Sequence, residues 1–154
     1  MRSKEDLKKL KIDFWTAYGK YMTRHASMRG PKISWLNYKT GIRHIYFRQD
    51  VDQQGARVSI DIQHGSTSLR EVYFDQFWEL ETLLHSTSGS NWTWERNFHL
   101  PSGQEISRIS ITLPGTNIEK HEDWPLIFTF FERNMLALDE IWVNALDIFK
   151  DLES

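Results

Sequence analysis

Arg57-Val-Ser-Ile-Asp-Ile-Gln63 alternates apolar and polar residues without a break, the two-residue period of a strand buried on one face only. Val58, Ile60 and Ile62 then face a core, while Arg57, Ser59, Asp61 and Gln63 face the other way. A strand of this kind needs partners on both edges and a layer of amphipathic helices over its apolar side. The flanking sequence supplies both. Upstream, β-branched and aromatic residues predict strands at Ile33–Asn37 and Ile42–Arg48, with Asp50-Val-Asp-Gln-Gln-Gly55 as the hairpin loop. Downstream, Trp92–Phe98 and Ile106–Leu113 alternate about Pro101-Ser-Gly103 and predict a second hairpin. Its Ile109, Ile111 and Leu113 point inward, and its Arg108, Ser110 and Thr112 point outward.

The helices are legible from a longer period. Leu7, Leu10, Phe14, Tyr18, Tyr21, Met22 and His25 recur every three or four residues, predicting a first helix over about Ser3–His25. Ser3 offers an N-cap oxygen, Glu5 and Asp6 put negative charge in the first turn, and Gly30-Pro31 blocks any continuation. Ser68-Leu-Arg-Glu71 has the form of a capping box, so a second helix is expected to run to about His85 with Tyr73 or Phe74, Phe77, Leu80 and Leu84 on one side. The strongest stripe is the last: Ile127, Phe130, Phe131, Leu138, Ile141, Trp142, Ala145, Phe149 and Leu152, with Asp123 as a cap and Pro125 in the first turn. At about 1.5 Å per residue this helix is roughly 40 Å long, enough to cross the domain and overhang it. The expected order is helix, three strands, helix, two strands, helix. This is an α+β fold: an antiparallel sheet of about five strands, three helices on one face and a polar face opposite.

A chain of 154 residues, 40% hydrophobic and 14% aromatic, suits one domain over residues 1–154 with a substantial core. It contains no cysteine, which excludes disulfides, thiolate nucleophiles and cysteine-based zinc sites and fits a reducing compartment. No stretch approaches the ~18 apolar residues of a membrane span, and the charged N-terminus lacks a signal-like apolar core, so the expected placement is cytoplasmic with no membrane partner.

The charges are segregated. No Asp or Glu occurs between Phe14 and Gln49, a stretch that carries Lys20, Arg24, Arg29, Lys32, Lys39, Arg43 and Arg48. From Glu119 to Ser154, nine carboxylates face three bases. An anionic partner is drawn to the first stretch and repelled by the last, unless the two neutralise each other within the fold.

Motifs that would name a reaction are missing. The six histidines, His25, His44, His64, His85, His99 and His121, include no His-x-x-x-His pair, and His44 and His64 are the best placed for acid–base or metal chemistry. Asp61 is a strand carboxylate that could help to hold Mg²⁺, but no Glu-x-Lys follows, and an ion pair with Arg43, Arg57 or Arg108 is the competing reading. Glycines stand singly at turns, with no phosphate loop, and no serine sits in a Gly-x-Ser-x-Gly elbow. Neither a cofactor nor a metal is expected. The candidate binding surface is the polar sheet face around Arg43, Arg57, Asp61 and Arg108, weighed against an ordinary solvated face. Of the seven tryptophans most belong in the core, and Trp92 or Trp94 is the candidate interface anchor.

Phe14-Trp15, Trp35, Ala56-Arg-Val-Ser-Ile-Asp-Ile62, Phe77-Trp-Glu-Leu80, Trp92, Arg108-Ile-Ser110 and Asp123-Trp124 occur in this order of elements. In these residues the chain resembles a bacterial family known only as domain of unknown function 4268. The resemblance covers most of the chain and implies an accessory domain of the kind found beside nuclease-like domains, in restriction or DNA-defence settings. It brings no catalytic residues, and the 154 residues leave no space for a nuclease, which is expected in a neighbour. The expected function is a non-catalytic interaction module whose partner is another protein or a second copy. The alternative is a nucleic-acid-binding or metal-dependent nuclease-like protein using the polar face around Asp61.

Overall fold

The structure, a computed structural model, describes residues 3–153. Helix α1 (Lys4–Met22) begins where the sequence places it: Ser3 Oγ accepts the Asp6 N–H at 3.1 Å, and the Asp6 carboxylate accepts the Ser3 N–H at 3.3 Å. It stops at Met22, three residues earlier than the apolar spacing suggests, with Thr23 donating its hydroxyl to the Lys20 carbonyl. Strands β1 (Ile45–Val51) and β2 (Gly55–Ile62) form a hairpin. Helices α2 (Thr67–Trp78) and α3 (Glu81–Ser88) follow, then strands β3 (Thr93–His99) and β4 (Glu105–Pro114). A short 3-10 turn, His121–Asp123, leads into α4 (Trp124–Glu153).

The sheet is antiparallel in the order β1-β2-β4-β3, so the decisive strand β2 lies inside it and is paired on both edges. Ile60 stands opposite Phe47 and Ile109, and these three face the helices. Asp61 stands opposite Tyr46 and Arg108 on the outer face. Gly55 is required by close approach, because a Cβ there would meet the Leu113 carbonyl oxygen at 2.6 Å. The helix-facing side packs Phe47, Val58, Ile60, Ile62 and Ile109 against Phe14, Tyr18, Phe77, Phe131, Trp142 and Phe149 in one core. Phe77 stacks on Trp142 at 5.9 Å, and Trp142 meets Phe47 edge-on at 5.2 Å.

Among the described residues the sheet has four strands, not five, because Ile33–Asn37 forms no strand. Its alternation is real, with Trp35 buried and Leu36 exposed, but local side chains take the backbone groups a ladder would use. Ser34 Oγ accepts the Asn37 N–H, the Trp35 indole donates to the His25 carbonyl, and Gln49 donates to the Trp35 carbonyl at 2.7 Å. Residues 23–44 thus form a long irregular wrap, and the second strand starts at Ile45 instead of Ile42.

The expected second helix is two helices, which brings the α-helices to four among the described residues. Ser66, not Ser68, caps α2 by accepting the Leu69 N–H. The chain then breaks at Glu79–Leu80, where Leu80 takes φ −98° and ψ 6°. The break lets Phe77, Leu80 and Leu84 all reach the surface of α4 around Leu138, Ile141 and Trp142. Helix α4, 30 residues and about 45 Å long, buries its stripe from Trp124 to Phe149. Of the expected stripe Leu152 is left 37% exposed, and Ile148 beside it is 44% exposed. Asp123 accepts the Asn117 N–H at 2.9 Å and so holds the loop before α4.

One buried carboxylate fastens the wrap to α4. Asp139 accepts the Ser27 hydroxyl at 2.6 Å, the Met28 N–H at 2.8 Å and the Tyr38 hydroxyl at 2.5 Å. Burial and the hydrogen bond to Asp139 push the Tyr38 hydroxyl pKa well up, so it remains a donor. Replacing Asp139 with Ala takes the acceptor from the Ser27 and Tyr38 hydroxyls and the Met28 N–H, at about 1–3 kcal/mol for each buried group left unpaired. Asp139→Ala is expected to lower the urea midpoint sharply and to expose amides of residues 27–40 to hydrogen exchange before those of β2. An unchanged midpoint would show that the wrap is held by packing instead.

Candidate functional site

The outer sheet face contains three of the four sequence-selected residues, already engaged with one another or with near neighbours. Arg108 reaches across from β4 and donates two hydrogen bonds to Asp61, Nε to Oδ1 at 2.8 Å and Nη2 to Oδ2 at 2.9 Å. Both side chains are almost wholly buried, and the guanidinium lies 4.4 Å from the Phe98 ring. Asp61 therefore presents both oxygens to a fixed cation. Arg57 pairs with Asp50 at 2.8 Å near the other end of the hairpin. Arg43 is not on the sheet face: it lies in the wrap before β1, where its backbone N–H meets the Glu153 carboxylate at 3.4 Å. The four residues do not form one site.

The structure does join His44 and His64, whose rings are 4.8 Å apart. His44 adopts φ 68°, a left-handed turn that swings the chain into β1, and its carbonyl accepts the Gln63 N–H at 2.7 Å. His64 stacks flat on Tyr73 at 4.5 Å. Its Nδ1 is buried without a hydrogen-bond partner. Burial, reinforced by the charges of His44, Arg70 and Arg43, holds the His64 pKa below its ordinary 6.5 against the opposing pull of Glu153. Buried Arg70 donates to the His64 carbonyl at 3.0 Å and is paired with Glu105. No group of three His, Asp or Glu side chains among the described residues is close enough to hold a metal ion.

A third arrangement lies between the wrap and the start of β1. Lys39, Arg43 and Arg48, with Tyr38, Thr40 and Tyr46, line an open groove of about 490 Å³ whose lining contains no carboxylate. Its floor is rigid. Trp142 Nε1 donates to the Thr40 carbonyl at 2.7 Å, the Thr40 hydroxyl donates to the Ile45 carbonyl at 2.8 Å, and Arg29 donates to the Lys39 carbonyl at 2.6 Å. Arg48 lies over the Tyr46 ring at 4.3 Å. None of Lys39, Arg43 and Arg48 forms an ion pair among the described residues. The hollow of equal volume at the other end of the hairpin is mixed in charge, with Asp50 and Asp52 beside Arg57. Sequence reasoning chose the sheet face over this groove, although the acid-free run from Phe14 to Gln49 was its signal.

The acidic C-terminal half meets that run mostly through neutral groups. Tyr21 donates its hydroxyl to Glu132 at 2.7 Å, His25 pairs with the same carboxylate at 2.6 Å, and Asp139 takes Ser27 and Tyr38. Among the described residues no acid of this half forms an ion pair with the groove cations, and Glu153 meets only the Arg43 backbone N–H. Trp92 is buried with its indole on Ser88 and Trp94 is partly covered, whereas Trp78 is the half-exposed tryptophan, edge-on to Trp94 at 4.9 Å.

The sequence profile of a domain of unknown function, DUF4268, matches residues 10–146. The chain belongs to this family. Every element from the middle of α1 to the greater part of α4 lies within the matched span, and so does the groove. No curated protein and no solved structure matches the chain. The functional reading of this DUF4268 domain therefore rests on its own geometry. No helix among the described residues is long and apolar enough to cross a membrane.

Two stability measurements probe the paired groups. Removing one member of the buried Asp61–Arg108 pair, by Asp61→Asn or Arg108→Met, is expected to destabilise by about 3–5 kcal/mol. The double variant Asp61→Leu/Arg108→Met should regain much of the loss relative to Asp61→Leu and Arg108→Met alone, as a double-mutant cycle of unfolding midpoints would read. For His64 the sign follows from a folded pKa below 6.5: the unfolded chain takes up the proton first. Stability is full above pH 6.5 and declines as the pH falls from 6.5 toward the folded value. Thermal melts between about pH 7.5 and pH 5.5 should show a smaller decline in His64→Gln than in the parent chain.

Proposed function

We propose that this domain is a non-catalytic accessory module that binds an anionic macromolecule in the groove between the wrap and β1. The observation that carries this reading is the carboxylate-free lining of the groove, in which Lys39, Arg43 and Arg48 form no ion pair among the described residues and stand over a hydrogen-bonded floor. Unpaired cations clustered in a concavity concentrate anions through an additive field, and a fixed backbone beneath them lowers the ordering penalty on binding. An accessory role is supported by the state of Asp61. A metal-dependent nuclease needs carboxylate oxygens free for the ion, whereas Asp61 holds a guanidinium with both of its own. The restriction or defence setting implied by the family resemblance accords with an anionic partner.

The test is calorimetric titration with long-chain inorganic polyphosphate at about 50 mM salt. Binding is expected to weaken steeply as salt rises, as phosphate contacts release counterions. The triple variant Lys39→Ala/Arg43→Ala/Arg48→Ala should lose it, and Arg57→Ala, whose guanidinium serves Asp50, should keep it. If the parent chain fails to bind, or if the triple variant binds like the parent, the reading is wrong.

A further inference from the structure

Resting on that reading, we infer that the ligand of the groove is a single-stranded nucleic acid, with bases stacked at Tyr46 and the backbone phosphates running over Lys39, Arg43 and Arg48. Charge alone would suit any polyanion. The groove adds an aromatic ring at its mouth: Tyr46 is 37% exposed on the edge strand, beside Asp61 in the register but not facing its charge, since that carboxylate is held by Arg108. Arg48, two residues along the same face, lies over the ring at 4.3 Å and makes with it a composite platform, a π-face and a guanidinium plane. Single-stranded binders combine these two features, a cationic track for the backbone and exposed flat groups on which bases stack regardless of sequence.

The placement of these groups also discriminates against a duplex. Duplex readers insert a helix or a two-stranded ribbon into a groove of the DNA. Here the cations sit in a concave cleft beside the edge strand, flanked by the irregular segment 37–43, with the helices on the opposite side of the sheet. In a base-paired helix the π-faces are closed by stacking, so Tyr46 and Arg48 would find nothing to cover. An unpaired strand offers both its bases and its phosphates. Asp50 lies beyond Arg48 on the same face and is occupied by Arg57, and Glu153 lies at the Arg43 end on a backbone N–H. These carboxylates bound the track at both ends, leaving three phosphate positions between them.

Fluorescence anisotropy with labelled dT and rU dodecamers, and with a duplex of the same length, tests the assignment. The single strands should bind more tightly than the duplex, with a log–log salt slope of about −2 for three contacts at roughly −0.7 each. Tyr46→Ala should weaken single-strand binding about tenfold, the order expected for loss of one stacked base, and should weaken it more than it weakens polyphosphate binding. Tyr46→Trp should restore it, which separates stacking from a general loss of the edge strand. Equal affinity of dT and rU assigns the platform to bases and phosphates without sugar discrimination. A preference for one narrows the ligand to DNA or RNA. Equal or tighter binding of the duplex, or a Tyr46→Ala variant that binds dT like the parent, overturns the inference. Polyphosphate binding that persists in that case leaves the anion-binding reading standing, and loss of both removes the two together.

Discussion

The burial of Asp139 in the middle of α4 is the constraint on which the other features depend. Asp139 and Asn134 are the polar residues among the buried positions of α4, and a buried carboxylate is costly unless hydrogen-bond donors meet it. The donors come from more than a hundred residues away, from Ser27, Met28 and Tyr38. Meeting that demand draws residues 23–44 over the side of the helix and prevents them from joining the sheet. Trp142, one turn further along α4, completes the attachment by donating to the Thr40 carbonyl. Thr40 in turn fixes Ile42 and Ile45, and so sets where β1 can begin.

The same attachment produces the groove. An irregular segment of this length is uncommon inside a compact fold and usually serves a function. Here its backbone is held from beneath by Trp142, Arg29 and Thr40, so Lys39 and Arg43 project from a hydrogen-bonded support. Two acids of the C-terminal helix, Glu132 and Asp139, are engaged by Tyr21, His25, Ser27 and Tyr38, and Glu153 meets the Arg43 backbone N–H and not a groove guanidinium. Packing and charge are therefore linked: Ser27, Tyr38 and the Met28 N–H face Asp139 on the acidic helix, while Lys39, Arg43 and Arg48 line the open groove.

On the sheet, the polar outer face is quieter than its composition suggests. Arg108 and Asp61 neutralise each other across the β2–β4 ladder, with Phe98 beneath the guanidinium, and Arg57 is matched to Asp50. Such pairing orders a solvent-side face without leaving it ready for a ligand. The reactive-looking histidines follow a related pattern. His64 is kept neutral by burial against Tyr73, and His44 supplies a left-handed corner, so together they shape the chain between β2 and the wrap.

Wherever the burial pattern is local, the sequence by itself determined the outcome. The period of Val58, Ile60 and Ile62 made β2 one-sided, the Ser3 cap started α1, the stripe from Ile127 to Phe149 made α4, and together these determined an antiparallel α+β fold. Tertiary structure decided the rest. Ile33–Asn37 has a strand's alternation but lost its ladder to Ser34, Gln49 and the demand of Asp139. The segment from Ser68 to His85 has one helical stripe, but bends at Leu80 because α4 can be followed only after a turn. Arg43, Arg57, Asp61 and Arg108 were chosen as partners by alternation, which ranks residues along one strand but cannot report which charge neutralises which. That choice needs cross-strand distance, and only the folded chain brings Lys39, Arg43 and Arg48 into one groove whose lining holds no carboxylate.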